Sequence, residues 1–321
     1  MSPHLHSKTH TPRPAGRSIL VVGSANMDLV VSVGRHPKPG ETLFGDTFGM
    51  FPGGKGANQA VCCAKLGADV RFIGKIGRDV FGGALVRSLE KEGVHLEGLL
   101  EDPKSPTGTA LITVDADGQN EIIVVSGSNM ELTPRDLLKH RHLFESAAIV
   151  LVQLEIPVGT VEAALRQAKK RKAVTILNPA PACALAPELL ALSDFITPNE
   201  TELEILTGRS VRTVADAESA SACLLEAGAR NVIVTLGSEG CVWVTNEGAC
   251  RVPARRVRVV DTTAAGDAFN GGFACALLKG WDVPASLRFA RDVAACAVMK
   301  MGAQASMPTA RRVKQLQASG T

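Results

Sequence analysis

The sequence predicts an α/β protein. Its central sheet is mainly parallel and covered by helices on both faces, in a Rossmann-like arrangement, with a small β-sheet set apart from it. Three observations predict this. From about Leu143 onward, short β-rich apolar runs alternate with helical stretches, the pattern of a parallel sheet buried on both sides. Two turn-rich segments, about 30–51 and 109–125, interrupt that pattern with extended sequence. The chain is also large enough to bury such a core, with 321 residues, 45% of them apolar and 21% charged.

Taken in order, residues 1–17 are polar and contain Pro3, Pro12, Pro14 and three of the seven histidines. They lack the apolar stretch of a signal peptide and read as a disordered tail, at most an adventitious metal binder. Residues 18–22 (SILVV) end at Gly23 and read as a buried first strand. The segment 30–51 carries Pro37, Pro39, Gly40, Gly45 and Gly49 between short apolar runs. Residues 109–125 form two strands around Asp117-Gly118, a hairpin signal. Strands follow at 148–152, 174–177, 195–197 and 232–236, and a helix at 160–170 repeats its apolar face at Val161, Ala164, Leu165 and Ala168. Glycines 67, 208 and 280 stand just past helical stretches, where chains leave a helix. The domain thus runs from 18 to 310, with 311–321 a second tail.

Composition narrows the function classes. No apolar run approaches the ~18 residues of a membrane span. Lys plus Arg exceed Asp plus Glu by 35 − 32 = 3, and only 12 aromatics are present (10 Phe and 2 Trp), so neither a polyanion footprint nor base stacking is indicated. The run Lys169-Lys170-Arg171-Lys172 sits at a predicted helix C-terminus, where cations favour the dipole. Arg251, Arg255, Arg256 and Arg258 alternate with apolar residues and read as a solvated strand face. The eight cysteines form no C-x-x-C pair and lack the clustering of a zinc site. They read as reduced, mostly buried thiols of a cytoplasmic protein.

Two glycine-rich segments carry the chemistry. In Pro52-Gly53-Gly54-Lys55-Gly56-Ala57-Asn58-Gln59-Ala60, the glycines let backbone approach a ligand, and Lys55 and Asn58 offer donors at a helix start. It is not a Walker A loop, because Gly56 stands where Ser or Thr would hold Mg²⁺. Alone, the segment fits a packing turn or a site. The second, Asp261-Thr262-Thr263-Ala264-Ala265-Gly266-Asp267, follows a strand-like stretch at 256–260 and opens a helix at 268–279. Small residues there clear room for an anion beside the carboxylate of Asp267. An anion hole and a proton acceptor together are what phosphoryl transfer to a hydroxyl needs. By itself Asp267 is a common helix cap.

These segments occur in order with Asn26-x-Asp28, Asn199-x-x-Glu202 and Thr235-Leu-Gly-Ser-Glu-Gly240. The ordered set resembles the PfkB carbohydrate kinases, and GGKGANQ with DTTAAGD resembles their ribokinase branch. The resemblance covers residues 19–308. It implies an ATP-dependent sugar kinase acting on the 5-hydroxyl of D-ribose. By that resemblance, Asn26, Asp28, Gly54, Lys55, Asn58 and Glu155 hold the sugar and Asp267 is the base. Main-chain N–H groups of Ala265 and Gly266 receive the phosphoryl group. Asn199, Thr235, Gly237, Ser238 and Gly240, with Gly266, line ATP, and Glu202 helps hold Mg²⁺ through water. Asp261, Thr263, Ala297, Lys300, Gly302 and Ser306 surround an activating K⁺. As bare sequence, Asn199 and Glu202 equally cap a helix, and Gly302 and Ser306 equally close one at 284–301. Arg291 departs from the Asn or His usual near the adenine.

Deoxyribose, fructose or a nucleoside would be alternative substrates. The resemblance favours ribose through Asn26, a polar residue that deoxyribose kinases tend to lose. A non-catalytic sugar-binding protein on the same fold would not need Asp267 in an unbroken DTTAAGD. A dehydrogenase is disfavoured because Gly23-Ser-Ala-Asn-Met-Asp28 lacks G-x-G-x-x-G spacing. The partners implied are ribose and ATP, with no nucleic acid and no membrane. A homodimer is expected through the small sheet, which would also act as a lid: its strands are too few to be stable alone, and their edges invite pairing.

Overall fold

The computed structural model describes residues 17–319. Thirteen strands are present among them: β1 (Ser18–Val22), β2 (Asn26–Ser32), β3 (Thr47–Gly53), β4 (Val70–Gly77), β5 (His95–Asp102), β6 (Gly108–Val114), β7 (Asn120–Val125), β8 (Ala147–Val152), β9 (Val174–Leu177), β10 (Phe195–Ile196), β11 (Val232–Thr235), β12 (Cys241–Thr245) and β13 (Gly248–Val252). Nine form the central sheet, in the order β13-β12-β11-β10-β9-β8-β1-β4-β5. All neighbours from β11 to β5 are parallel, and β12 and β13 add antiparallel pairs at one edge. The predicted fold class holds.

Every residue of β1, β8 and β9 is buried. Because side chains alternate across a strand, each run feeds two cores. Ile19, Val21, Ile149 and Leu151 face one core, packed with the helices Lys55–Lys65, Ala265–Leu278 and Val283–Ala297. Leu20, Val22, Val150 and Val152 face the other, with the helices Val158–Lys170 and Val214–Glu226. Such two-sided burial demands continuous apolar strands, which is why the sequence pattern was readable there.

Four strands form the separate small sheet, in the order β3-β2-β6-β7. Its root is pinned at Asn26, in register with Gly53 on one side and Gly108 on the other. The two segments expected to make it do so, with β2 starting four residues earlier than the expected 30.

Four expectations need correction or lie out of reach. Residues 311–318, expected within a tail, belong to the helix Ala310–Ala318, because Val313 and Leu316 bury against the first core. The stretch 256–260 is not a strand. Instead Val260 and Asp261 N–H both donate to Val298 O, at 2.8 and 3.2 Å, which docks it on the end of the helix Val283–Ala297. Arg255 is therefore not on a solvated face: it is largely buried and pairs with Asp292 at 3.1 Å. Residues 1–16, expected to be disordered, lie outside the described residues. No helix among the described residues is long and apolar enough to cross a membrane, and the eight cysteines are free thiols.

Candidate active site

The chain leaves β1 for β4 on one side of the sheet and returns to β8 on the other. Such a reversal opens a crevice beyond the carboxyl ends of the strands, where ligands bind in open α/β sheets. The two ends meet there: Ser24, just past β1, donates its hydroxyl to Glu155 Oε2 at 2.5 Å, just past β8. The same oxygen accepts Lys55 N–H at 3.0 Å. Glu155 thus neutralises the positive end of the Lys55–Lys65 helix, while Ser24 Oγ also accepts Gly56 N–H at 3.3 Å.

Two glycines permit this approach. A Cβ on Gly56 would lie 2.6 Å from Ser24 N and 2.7 Å from Gly23 C, inside backbone that cannot yield. Gly54 caps the helix at φ 87°, and its Cβ would meet Asn26 N at 2.7 Å. Asn26 itself is buried, and its Oδ1 accepts Asn129 Nδ2 at 2.7 Å. Asn129 also brackets Ala25, accepting its N–H at 3.0 Å.

Asp267 lies in the first turn of the Ala265–Leu278 helix, and it is buried. Asn58 Nδ2 donates to its Oδ2 and Gln59 Nε2 to its Oδ1, both at 2.9 Å. The turn before it is strained: Ala264 adopts the left-handed conformation, φ 59° and ψ 17°. Ala265 N–H folds back on Thr262 O at 3.1 Å. Gly266 N–H is a first-turn donor, of the kind a helix leaves without an intrahelical acceptor. A Cβ added at Gly266 would meet nothing within 4 Å, so open room lies before it.

Three carboxylates, Asp267, Glu155 and Glu202, act on the Lys55 ammonium, and a fourth, Asp28, lies near two of them. Burial pushes Asp28 up to about 7, helped by the negative charges of Glu155 and Asp267. Burial also raises Asp267, although Lys55, Asn58 and Gln59 pull it back toward the charged form. Glu202 is raised by burial as well. Burial alone would lower Lys55, but Asp267, Glu155 and Glu202 outweigh it and hold its pKa above the usual value. The site therefore keeps a charged ammonium beside Asp267 and Glu202, whose charged forms burial disfavours.

On the other flank, Asn199 and Glu202 form a capping box: Asn199 Oδ1 accepts Glu202 N–H at 2.8 Å, and Glu202 Oε2 accepts Asn199 N–H at 2.9 Å. Asn199 bridges Thr235 at the end of β11. Gly237 and Ser238 lie in the 3₁₀ turn Gly237–Glu239 that follows, and Gly240 closes it with φ 97°. Asp261 joins two loops, accepting Thr263 N–H and Gly302 N–H, each at 2.8 Å. The other expected cation residues are engaged within their own turn. Ala297 O accepts Lys300 N–H, Lys300 Nζ donates to Ala305 O, and Ser306 Oγ donates to Ala303 O. Arg291 donates to Asp292 Oδ1 at 2.7 Å.

Sequence reasoning missed Ser24, Gln59, Gln153, Asn129, Asn178, Thr197 and Asn270. One signal would have found three of them. Gln153, Asn178 and Thr197 are the first residues past β8, β9 and β10, polar residues following buried strands at the sheet end where ligands sit.

The geometry defines a site for a polar ligand, with a buried carboxylate beside an open helix start. Residues 17–310 match the pfkB family carbohydrate kinase model, and the chain belongs to that family of ATP-dependent sugar kinases. It is 42% identical over 294 residues to a ribokinase of Haemophilus influenzae, covering 91% of this chain and 96% of that one. It is 39% identical over 292 residues to a deoxyribokinase of Salmonella typhi, covering 91% and 95%. A solved ribokinase of Arabidopsis thaliana, complexed with ribose and ATP, superposes with a TM-score of 0.88 at 36% identity, over 94% of this chain and 98% of that chain.

Proposed function

We propose that the chain transfers the γ-phosphoryl group of ATP to O5 of D-ribose, giving D-ribose 5-phosphate and ADP. The observation that carries this reading is Asp267. It is a buried carboxylate oriented by two amides, next in sequence to Gly266 and the open space there. Asp267 takes the proton of the 5-hydroxyl as O5 attacks phosphorus. Gly266 N–H receives the negative charge of the moving group. Ala265 N–H joins it once released from Thr262 O, and the nearby Lys55 ammonium adds a positive field.

Asn26, Asp28, Gly54, Lys55, Asn58 and Glu155 bind the sugar. Asn26 acts as a donor there, because its oxygen is already occupied by Asn129. Asn199, Thr235, Gly237, Ser238 and Gly240 line the nucleotide. Glu202, half-buried with one oxygen in its cap, fits a water-mediated contact to Mg²⁺, an ion that keeps several of its waters. When bound, Mg²⁺ supplies neutralisation of the phosphate charge.

The carboxylate of Asp261 and the carbonyls of the two loops it joins are oxygen donors suited to K⁺. The residues are Asp261, Thr263, Ala297, Lys300, Gly302 and Ser306. Asp261 is held below the usual carboxylate range: burial opposes this, but bonds from Thr263 and Gly302 prevail. Those bonds favour its anionic form.

Two further parts belong to this reading. A homodimer through the small sheet is supported by its uncovered apolar residues, among them Phe48, Met50, Ile122 and Ile123. A cytoplasmic setting agrees with eight free thiols. The test of specificity is coupled ADP release with ribose, 2-deoxyribose, fructose and adenosine. Ribose should give the highest kcat/KM. A preference for 2-deoxyribose would move the chain to the second reading, which its similarity to a deoxyribokinase keeps in view.

A further inference from the structure

The polar residues behind Asp267 form a chain of side-chain amides along the carboxyl ends of β8, β9 and β10. The orientation of each amide is set by the next. Thr197 O is a carbonyl and can only accept, and Asn178 Nδ2 donates to it at 3.1 Å. Asn178 Oδ1 must then face Gln59, whose Nε2 donates to it at 3.0 Å. The second hydrogen of the same Nε2 goes to Asp267 Oδ1 at 2.9 Å. Gln59 Oε1 accepts from Gln153 Nε2 at 2.5 Å, which closes off the flipped amide from the other side. A second arm leaves the same residue: Thr197 Oγ1 donates to Asn270 Oδ1 at 2.7 Å, and Asn270 Nδ2 donates to Gly266 O at 2.9 Å. Gln59, Gln153, Asn178, Thr197 and Asn270 are all buried.

We infer that Gln59 and Asn178 are positioning residues for phosphoryl transfer. They fix a donor on Asp267 Oδ1, which keeps the carboxylate ionised and its orientation constant, while the Asn270 arm holds the turn of Gly266. This rests on the reading of Asp267 as the base. A flipped Gln59 amide would set its oxygen against Asp267 and disfavour the charged form the base needs. Other charged or titratable groups also act on Asp267. Lys55 and Cys62 lie on the helix of Gln59, Glu155 lies past β8, Asp28 on β2, and Glu202 in the helix after β10. None of them touches Asn178 through a hydrogen bond, so Asn178 can be changed while they stay in place.

The experiment is the single-turnover rate of phosphoryl transfer with ATP and ribose from pH 5 to 9, in wild type and three variants. Asn178→Leu touches Asp267 only through Gln59. It should lower the rate about tenfold and move the acid limb up by about one pH unit, with KM for both substrates within about twofold. Thr197→Val removes a hydroxyl that bonds to Asn270 Oδ1 and Leu177 O and to no side chain of the Asn178 arm, so it should leave the acid limb where it is. If Asn178→Leu does not fold, Gln153→Leu frees the Gln59 amide from its other side and should move the limb in the same direction. An unmoved limb in the folded variant overturns the inference, as does a flat wild-type profile or an equal shift in Thr197→Val. Asp267→Asn separates the two failures. If it keeps wild-type turnover, the assigned base is wrong. If it is inactive while Asn178→Leu keeps the wild-type limb, only the relay is wrong.

Discussion

At the scale of single residues, the site depends on carboxylates held away from water at different degrees of ease. Asp267→Asn removes the base but leaves a residue of equal size, so kcat should fall about 10²-fold or more, with ribose affinity nearly unchanged. Calorimetric titration of ribose beside steady-state turnover checks both halves. Asp28 gives a second prediction, with a defined sign. Its folded pKa of about 7 stands above the unfolded value of 3.8. Between those values the folded state holds the proton that the unfolded state releases, so wild-type stability is lost as pH rises through that window. Asp28→Asn cannot ionise and escapes the loss. Urea melts should find it gaining about 1–3 kcal/mol on wild type between pH 5 and pH 8, even as it weakens sugar binding. Equal gaps at the two pH values would mean that Asp28 is ionised throughout.

At the scale of elements, two helix starts and one turn converge because glycine and small residues let them. Gly56→Ala should cost well over 1 kcal/mol and displace the Lys55–Lys65 helix from the β1 turn, carrying Lys55, Asn58 and Gln59 with it. Gly67→Ala is the matched control. Gly67 has a left-handed φ of 89°, which the helical Gly56 does not, and open space surrounds its Cβ position, so the cost should be about 1 kcal/mol with normal kcat. Thermal melts and turnover of the pair separate the cost of close approach, at Gly56, from the cost of a left-handed φ, at Gly67. The loop of Asp261 makes the other prediction. K⁺ held between it and Gly302 would stiffen the turn that carries Gly266, so K⁺ should raise kcat more than it lowers KM. Turnover in cation-free buffer, then with K⁺, Na⁺ or Cs⁺ at constant ionic strength, tests it, and equal rates would remove the cation from the account. What was legible in the sequence follows from the same physics. Strands β1, β8 and β9 and the helix starts announce themselves through continuous apolar runs and glycine. Strands β4 and β5 were not seen, because VRFIGKIG and HLEGLLED mix charge and glycine into their runs. The connection between Gln59, Asn178, Thr197 and Asn270 is not legible in the sequence, because they come from four elements far apart in the chain and only the fold makes them neighbours.

At the scale of the whole molecule, the switch in strand order between β1 and β8 sets where the crevice lies, and the small sheet rises from its rim at Asn26. One face of that sheet leaves Phe48, Met50, Leu111 and Ile123 exposed. A patch of this kind is usually covered by a partner. Sedimentation at micromolar concentration should therefore find a dimer, and a fully active monomer would contradict that part of the account. The central claim is that this architecture is an ATP-dependent kinase acting on the 5-hydroxyl of ribose. The most direct measurement is ³¹P NMR of the protein with ATP, Mg²⁺, K⁺ and D-ribose. The account predicts ADP together with an equal amount of a phosphate monoester whose phosphorus couples to two equivalent-carbon protons, as a 5-phosphate requires. Failure to consume ATP, or a monoester coupled to a single proton as on a ring carbon, would contradict it.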